Sequence, residues 1–277
     1  MRHPLLLAIA TPLAEATMFT DSATLKTKVV EWVDNNTCCG AQIEDWDVSQ
    51  ITDMSGPRDT YGNALGGFFP TDFNGDISKW DVSKVTTLYY TFHKANVFNA
   101  DLSGWNTAEL TNLHYTFGYC YEFTGEGLRN WDVSKVTDMS RIFYGAVGFT
   151  EDVSEWDVRN VRTFESAFGD DGANAAEDCM KSKIYDLWGE NENFPYGLET
   201  WIDTATVENC LQCNFHGATW LSHRLSVYDA ADSSCGDVSS WDTGNVRSLK
   251  AVFEDLTDFN GDISQWNISS VTDMTRT

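Results

Sequence analysis

The chain has 277 residues, of which 42% are hydrophobic and 13% aromatic, which is enough apolar material for a packed core and excludes global disorder. Lys and Arg number 18 against 42 Asp and Glu, which gives a formal net charge of −24. This charge disfavours nucleic acid and anionic membranes as partners, because both reward Lys and Arg. It suits a highly soluble extracellular protein, a cation-rich setting or a basic partner.

Residues 1–16 have the pattern of a secretory signal peptide. Arg2 supplies the positive charge, Leu5 to Ala14 form a short apolar stretch, and the Ala-Glu-Ala that ends at Ala16 is a small-x-small cleavage site. A buried N-terminal strand or helix is the alternative interpretation. No segment has 18 continuous apolar residues, so the sequence predicts no membrane span and a secreted or cell-surface protein.

Residues 17–45 are predicted to form an N-terminal cap. Within them, Leu25 to Trp32 has apolar residues at helical spacing, which indicates a helix that covers the open end of a repeat core. Asn35 begins an Asn-Asn-Thr sequon and is a candidate glycosylation site. Cys38 and Cys39 follow, and the sequence does not reveal their partners.

Tryptophan marks a repeat of about 25 residues that occupies residues 46–168 and 235–277. The marker residues are Trp46, Trp80, Trp105, Trp131, Trp156, Trp241 and Trp266. Their separations are 34, 25, 26, 25, 85 and 25 residues, so four intervals agree within one residue and two contain insertions. Such a period predicts stacked units that share one continuous core.

The unit from Trp131 to Glu155 shows how each rung is predicted to fold. Its Trp-Asp-Val-Ser segment has the apolar offsets of the strand in leucine-rich repeats. Met139, Phe143 and Ala146 then recur at i, i+4 and i+7, which indicates one face of a helix of about two turns. Thr137, just before this run, is a suitable N-cap.

These elements predict an α/β solenoid: a leucine-rich-repeat-like, right-handed stack with a parallel sheet on one face, short helices on the other and an N-terminal helical cap. A short strand and a two-turn helix cannot offset their own ordering entropy, so stacking must stabilise each rung. No C-terminal cap follows Trp266. The sequence therefore predicts either a fragment of a longer array or end-to-end association at the uncapped end.

The rung also resembles a known repeat. Trp131 to Val158 follows W-D-V-S-x-V-T-D-M-S-x-x-F-x-x-A-x-x-F-N-x-D-I-S-x-W almost throughout, as do Trp80 to Asp101 and Asp262 to Met274. This pattern is similar to the BspA-like, lipoprotein-associated repeat of bacterial surface proteins. The resemblance implies a leucine-rich-repeat-like solenoid displayed outside the cell for adhesion or binding, with no catalytic residues. Arg162 and Arg247 depart from it, because Thr is usual there.

A row of outward-facing polar residues is the main candidate binding site. If Trp and Val of each Trp-Asp-Val point into the core, the residue between them points out. The row comprises Asp47, Asp81, Asn106, Asp132, Asp157, Asp242 and Asn267. Unit charges about 4.8 Å apart on neighbouring rungs repel by about 0.9 kcal/mol in water. The row therefore indicates an Asp–Ser/Thr hydrogen-bond ladder, a site for cations or a basic ligand, or catalytic carboxylates.

A second row of aspartates lies four residues before Trp, at the turn into the predicted strand. Its members are Asp76, Asp101, Asp152, Asp237 and Asp262. Asp at such a turn commonly accepts hydrogen bonds from nearby backbone N–H groups, so this row is interpreted as turn structure.

Residues 169–234 are predicted to be a cysteine-rich insertion that contributes to recognition, and Val207 to Ala218 echoes a degenerate rung. The disulfide candidates are Cys179, Cys210, Cys213 and Cys235, with three possible connectivities. Zinc ligation by the Cys-x-x-Cys pair and His216 is the alternative. Cys120 occupies a small position filled by Ala in sister rungs, which predicts a buried free thiol.

No common enzyme signature is present, and His93 and His114, on the predicted helix side, are interpreted as structural. The sequence thus predicts a non-enzymatic, secreted or cell-surface binding or adhesion module. Its partner would be an extracellular protein or glycan, recognised through the acidic concave sheet and the insertion. No cofactor is predicted, with calcium-dependent recognition as the alternative. The alternatives are a wall or matrix protein cross-linked by calcium, and a secreted hydrolase with its pocket in the insertion.

Overall fold

The computed structural model shows a stack of turn-built rungs. The residues that it describes are 18–35, 42–169, 178–189, 191–196, 221, 225, 238–244, 246–254, 256 and 259–276. Two α-helices of this part are α1 (Ser22–Asn35) and α2 (Asp178–Trp188). Single 3-10 turns lie at Ile43–Asp45, Leu128–Asn130 and Val238–Ser240. Nearly all of the other described residues lie in turns and short extended segments that recur from rung to rung.

Columns of aromatic rings form the core, because each rung places the same residue types at the same depth. The Trp rings of Trp105 and Trp131 stack at 6.0 Å between centroids with an angle of 7° between their planes. A second column contains Phe92, Phe117 and Phe143, with successive centroids 5.3 and 5.9 Å apart. These rings are buried, so Trp points into the core as predicted.

Interior tryptophans also bind each rung to the one before it. Trp80 Nε1 donates to the carbonyl of Ile43 at 2.8 Å, and Trp156 Nε1 donates to the carbonyl of Leu128 at 2.8 Å. The equivalent bond is present at Trp105, Trp131 and Trp266. Trp46 belongs to the first rung, and its buried Nε1 has no acceptor among the described residues. The indole thus contributes ring stacking and a register-setting hydrogen bond together.

The predicted parallel sheet is wrong, because the described residues contain no β-strand. Neighbouring rungs pair through single parallel bridges, six residues after the Asp of each Trp-Asp-Val. The bridges join Asp53 to Thr87, Thr87 to Asn112, Asn112 to Asp138, Asp138 to Thr163 and Ser248 to Asp273. At Trp-Asp-Val-Ser the Asp side chain takes an N–H that a ladder would need: Ser83 N–H donates to Asp81 Oδ1 at 3.0 Å. The extended segment therefore ends in a turn before a strand can form.

The predicted repeat helices are also wrong. Between Met139 and Ala146, the N–H groups of Met139, Arg141 and Phe143 donate to carbonyls of the next rung, whereas a helix would direct them four residues back. Arg141 (φ 56°) and Gly145 (φ 69°) adopt left-handed backbone conformations that an α-helix does not contain. The residues at i, i+4 and i+7 are buried, as their spacing predicts, but they lie in stacked turns and not on one face of a helix.

Helix α1 contains the helix predicted from Leu25 to Trp32. Its Leu25 and Val29 are fully buried, and the ring of Trp32 lies 6.0 Å from that of Phe73 in the first rung. Just before the helix, Met18 pairs with Asp47 in a parallel bridge, and Phe19 N–H donates to the carbonyl of Asp47 at 2.8 Å. The N-terminal segment therefore packs on the Trp-Asp-Val segment of the first rung.

The extra residues of the long first rung form a hairpin. Arg58 and Ala64 pair in an antiparallel bridge, and Asp59 Oδ1 accepts hydrogen bonds from the N–H groups of Tyr61 and Asn63. Residues 57–65 are called the hairpin below. Its base joins the second rung, because Gly56 N–H donates to the carbonyl of Tyr89 at 2.7 Å.

The insertion begins by extending the Trp column. Trp188, at the end of α2, lies 6.1 Å from Trp156 with 10° between the ring planes. Its Nε1 donates to the carbonyl of Ser154 at 3.0 Å, which repeats the bond of the regular rungs. Asn191 Nδ2 donates to the carbonyls of Val158 and Val161. The stack thus continues past residue 169, with a helix in place of the repeat turns.

Several sequence predictions concern parts outside the described residues. They are the signal peptide at 1–16, the pair Cys38 and Cys39, the disulfide candidates Cys210, Cys213 and Cys235, His216 of the zinc alternative, Asp237 of the turn row, and the rung-like stretch 207–218. Asn35 and Cys179 belong to α1 and α2, but their side chains are likewise outside the description. A membrane-crossing helix, long and apolar enough for a bilayer, is not found in the described part.

Candidate functional site

The predicted row of outward-facing residues builds turns. In every rung its side-chain oxygen accepts a hydrogen bond from the N–H two residues later. The pairs are Asp47–Ser49, Asp81–Ser83, Asn106–Ala108, Asp132–Ser134, Asp157–Arg159, Asp242–Gly244 and Asn267–Ser269. An amide oxygen serves as well as a carboxylate, so the position requires an acceptor and not a charge.

Hydrogen bonds and an ion pair stabilise the charged form of Asp132 and Asp157. Hydrogen bonds from Ser134 hold the pKa of Asp132 below its usual value. Arg159 does the same for the pKa of Asp157, with an ion pair of 2.6 Å. Across the described ranges, no three Asp, Glu, His or Cys side chains are grouped so that they could hold a metal ion. The geometry shows that each member of the row accepts a backbone hydrogen bond within its own turn.

Two further rows repeat this turn. Four residues before Trp, the predicted turn row is confirmed at Asp76, Asp101, Asp152 and Asp262, which accept the N–H of the Ser two residues later. The bridge residues do likewise: Asp53, Thr87, Asn112, Asp138, Thr163, Ser248 and Asp273. A rung therefore has three positions that require a side-chain acceptor, and the Asp residues at many of them contribute to the net charge of −24.

A cluster of tyrosine and histidine rings covers another part of three consecutive rungs. The aromatic face is defined here as Tyr89, Tyr90, His93, His114, Tyr115, Tyr119 and Tyr144. The centroid of Tyr90 lies 4.8 Å from those of His93 and Tyr115, and Tyr119 lies 5.4 Å from Tyr144. All of these side chains except His93 are partly exposed. The contacts run from rung to rung, so the rings form one continuous surface.

The aromatic face is not needed for stacking. In its first two rungs the face begins two and three residues after the bridge residue, and later rungs have Glu165, Ser166, Lys250 and Ala251 there. Those rungs form the same bridges without aromatic side chains. A requirement of the fold would recur in every rung, so these rings serve something else.

Tyrosines of the aromatic face occupy left-handed backbone positions of the repeat turn. Tyr90, Tyr115 and Tyr119 have φ values of 58°, 56° and 59°. This left-handed region is uncommon for bulky residues, and the later rungs have Ser166 and Ala251 in the same conformation. Because the conformation recurs in rungs without aromatic side chains, it belongs to the repeat turn and does not itself mark a binding site.

Charged groups border the aromatic face. The guanidinium carbon of Arg58, in the hairpin, lies 3.8 Å from the ring centroid of Tyr89, a cation–π contact. His114 Nδ1 lies 3.7 Å from an oxygen of Asp138. On the next rung Arg141 pairs with Glu165 at 2.5 Å. The hairpin and the face are therefore in direct contact through Arg58.

A cavity of about 390 Å³ opens between the hairpin and the aromatic face. Its lining includes Leu65, Gly67, Phe69, Tyr90 and His93. This volume lies within the range of small-molecule sites. His93 keeps 8% of its surface exposed, and its Nδ1 has no hydrogen-bond partner among the described residues. Burial, with a smaller effect of the Lys94 ammonium, lowers the pKa of His93 to about 4, so its imidazole is neutral at pH 7.

Cys120 is a buried free thiol, as its position in the repeat predicts. Its Sγ donates to the carbonyl of Phe92 at 2.8 Å, and burial raises the pKa of the thiol. A protonated thiol enclosed in the core is a packing group.

Sequence reasoning missed the aromatic face. The segments T-L-Y-Y-T-F-H-K and N-L-H-Y-T-F-G-Y carry its signal, since Tyr and His replace the usual small or polar residues of the rung. Because a helix was predicted there, these side chains were expected to lie apart on a solvated surface, and His93 and His114 were interpreted as structural. Only the stacked turns bring rings 25 residues apart into contact.

The stack of equivalent rungs defines a repeat protein, and the aromatic face and cavity are its candidate ligand-binding surface. The chain belongs to the family described as "Mycoplasma protein of unknown function, DUF285", which matches residues 27–126, 64–182, 111–232 and 182–277. The overlap of these four matches agrees with a repeated unit. No curated protein and no solved structure matches the chain. The resemblance to BspA-like repeats stays a prediction.

Proposed function

We propose that the protein is a non-enzymatic binding module, secreted or displayed at the cell surface, that recognises a glycan or a protein through its aromatic face. The carrying observation is the restriction of the seven rings to three rungs, although later rungs stack without them. Partly exposed rings that the fold does not require are a mark of recognition surfaces.

The composition of the aromatic face supports binding in particular. Tyrosine has a large apolar ring and a hydroxyl group, and it loses little conformational entropy when it is ordered. Here the rings are already held against one another: Tyr115 lies 4.7 Å from His93 and 5.8 Å from Tyr144. A partner would therefore meet a surface that needs little ordering, which favours affinity.

The extracellular location rests on the sequence. The N-terminal pattern of Arg2, a short apolar stretch and a small-x-small site is typical of secretion. The resemblance to surface-protein repeats and the large negative charge support the same location. The insertion that was predicted to share in recognition lies largely outside the described residues.

The test measures binding of the labelled full chain to arrays of glycans and of purified extracellular proteins. The decisive variant is Tyr115→Ser, because Ser166 takes the equivalent position in a later rung with the same left-handed backbone. Tyr61→Ser is the matched control, since Tyr61 is 90% exposed and lies outside the aromatic face. We expect binding to weaken by about tenfold or more in the first variant and to persist in the second. Binding that Tyr115→Ser leaves unchanged, or no binding at all, would contradict the proposal.

A wall or matrix role with calcium cross-links is the second proposal. It is supported by the Asp residues that recur at the turn positions of many rungs and by the net charge of −24. Ionised carboxylates such as Asp132 and Asp157 face outward at rung spacing. Only the matrix role predicts that calcium drives the chains to assemble, so light scattering in the presence of calcium distinguishes it from the binding role.

A further inference from the structure

The walls of the cavity beside the aromatic face are held by the surrounding fold. Lys26 of α1 donates from Nζ to the carbonyl of Gly67 at 3.0 Å. Phe68 N–H donates to the carbonyl of Thr91 at 2.9 Å. A Cβ atom added to Gly67 would lie 2.6 Å from the carbonyl oxygen of His93, so the two backbones approach as closely as glycine permits. The cavity is thus fixed before any ligand enters.

The lining combines a flat ring with hydrogen-bonding groups. Tyr90 and Phe69 supply aromatic surface, and Leu65 and Pro70 add aliphatic surface. Polar groups of the lining are His93, Thr71 and Lys94. Small-molecule sites have this composition: a mostly apolar wall with a few polar groups that fix orientation.

His93 is the polar group of the cavity whose hydrogen bonding is incomplete. The side chain is more than nine-tenths buried, and Nδ1 has no partner within the described part of the chain. A neutral imidazole has one donor and one acceptor nitrogen. Because Nδ1 is enclosed, a ligand in the cavity can reach the imidazole only through Nε2, and a ligand hydroxyl, which both donates and accepts, can bond to Nε2 in either tautomer.

We propose that this cavity binds one uncharged sugar ring of a glycan, an inference that rests on the proposed binding function. One face of the sugar packs on the ring of Tyr90, and its hydroxyls bond to His93 and Thr71. The volume of about 390 Å³ is near the lower end for ligand sites, which suits a single small ring and not a folded peptide segment.

Charge favours an uncharged sugar over an acidic one. The net charge of −24 repels polyanions over a wide range. The nearby guanidinium groups are already engaged, Arg58 with the ring of Tyr89 and Arg141 with Glu165. Lys94 is the single cationic residue that lines the cavity.

Calorimetric titration of the full chain tests the proposal with hexasaccharides of glucose, mannose and N-acetylglucosamine, and with oligogalacturonate as the acidic comparison. Ala64→Trp fills the cavity from the hairpin, where Ala64 forms part of the lining. Thr60→Trp places the same ring at an exposed hairpin position outside the lining and serves as the control. His93→Phe keeps a ring and removes both nitrogens, so the test survives if Ala64→Trp does not fold.

We expect a neutral hexasaccharide to bind the unmodified chain and Thr60→Trp equally, and Ala64→Trp and His93→Phe about tenfold or more weakly. Binding of oligogalacturonate alone, of no sugar, or equal binding by Ala64→Trp would overturn the proposal. The two proposals fail separately. Array binding that Tyr115→Ser abolishes and Ala64→Trp leaves intact would retain the aromatic face and reject the cavity as a sugar site.

Discussion

Aspartate in this chain acts first as a hydrogen-bond acceptor for its own backbone. Asp132 Oδ1 accepts from the N–H of Ser134 at 3.0 Å and from its hydroxyl at 2.6 Å. Asn106 makes the backbone contact one rung earlier, with Ala108, without a charge. The turn therefore explains why both Asp and Asn occur in this row.

Replacement of Asp132 separates the acceptor from the charge. We expect Asp132→Asn to change the free energy of unfolding by less than about 0.5 kcal/mol, because the amide oxygen keeps the turn. Asp132→Ala removes the acceptor and should cost about 0.5 to 1.5 kcal/mol. Urea denaturation of both variants measures the difference. Equal losses in the two would show that the charge itself stabilises the rung.

The indole N–H can be tested by comparing two buried tryptophans. Trp156 donates to the carbonyl of Leu128, but Trp46 has no acceptor among the described residues. Both rings lie against stacked aromatic neighbours. Trp156→Phe should cost about 2 to 3 kcal/mol through lost volume and a lost hydrogen bond.

Trp46→Phe should lower the free energy of unfolding by about 1 kcal/mol less than Trp156→Phe does. It also loses volume, but the donor that it removes is an unsatisfied one. Denaturant midpoints of the two variants and the unmodified chain give the comparison. If Trp46→Phe were the more damaging change, the hydrogen bond would not be what distinguishes the interior rungs.

At the scale of the element, the hydrophobic period predicted burial but not secondary structure. Met139, Phe143 and Ala146 are all buried, as the helical spacing requires. The same spacing suits turns whose alternate N–H groups point to the next rung, and Arg141 N–H donates to Glu165 there at 2.8 Å. Nothing in one rung reveals which carbonyl accepts. Left-handed residues such as Arg141 turn these N–H groups toward the next rung, but because they are not glycine, the sequence does not reveal their backbone conformation.

A glycine substitution distinguishes the two conformations. Ala251 has a φ of 56°, where glycine is less strained than alanine. Ala251→Gly should therefore raise the free energy of unfolding by about 0.5 to 1 kcal/mol, whereas a helical residue would lose about 1 kcal/mol. Thermal and urea unfolding give the sign of the effect. Ala146→Gly is the control: this buried residue is not left-handed, and glycine should destabilise it.

For the molecule as a whole, sequence predicted the stacking and its Trp marker but placed the contact between rungs in the wrong half of the repeat. The Trp period showed which residues are equivalent, and equivalence alone implies stacked rings. It did not reveal that Trp188 continues the column, because a helix replaces the regular turns before it. The aromatic face needed both pieces of information, since Tyr90 and Tyr115 meet only when rungs stack through turns.

The net charge of −24 gives the whole-molecule prediction. Because carboxylates repel one another throughout the stack, sodium chloride should raise the Tm by screening. Asp81, Asp132 and Asp157 already accept hydrogen bonds in their own turns. Calcium should therefore raise the Tm no more than magnesium at the same ionic strength, and light scattering should stay constant. Differential scanning calorimetry and scattering at millimolar calcium measure both quantities. A calcium-specific rise in Tm together with growing scattering would instead favour the cross-linked matrix, and Asp132→Asn should then reduce both.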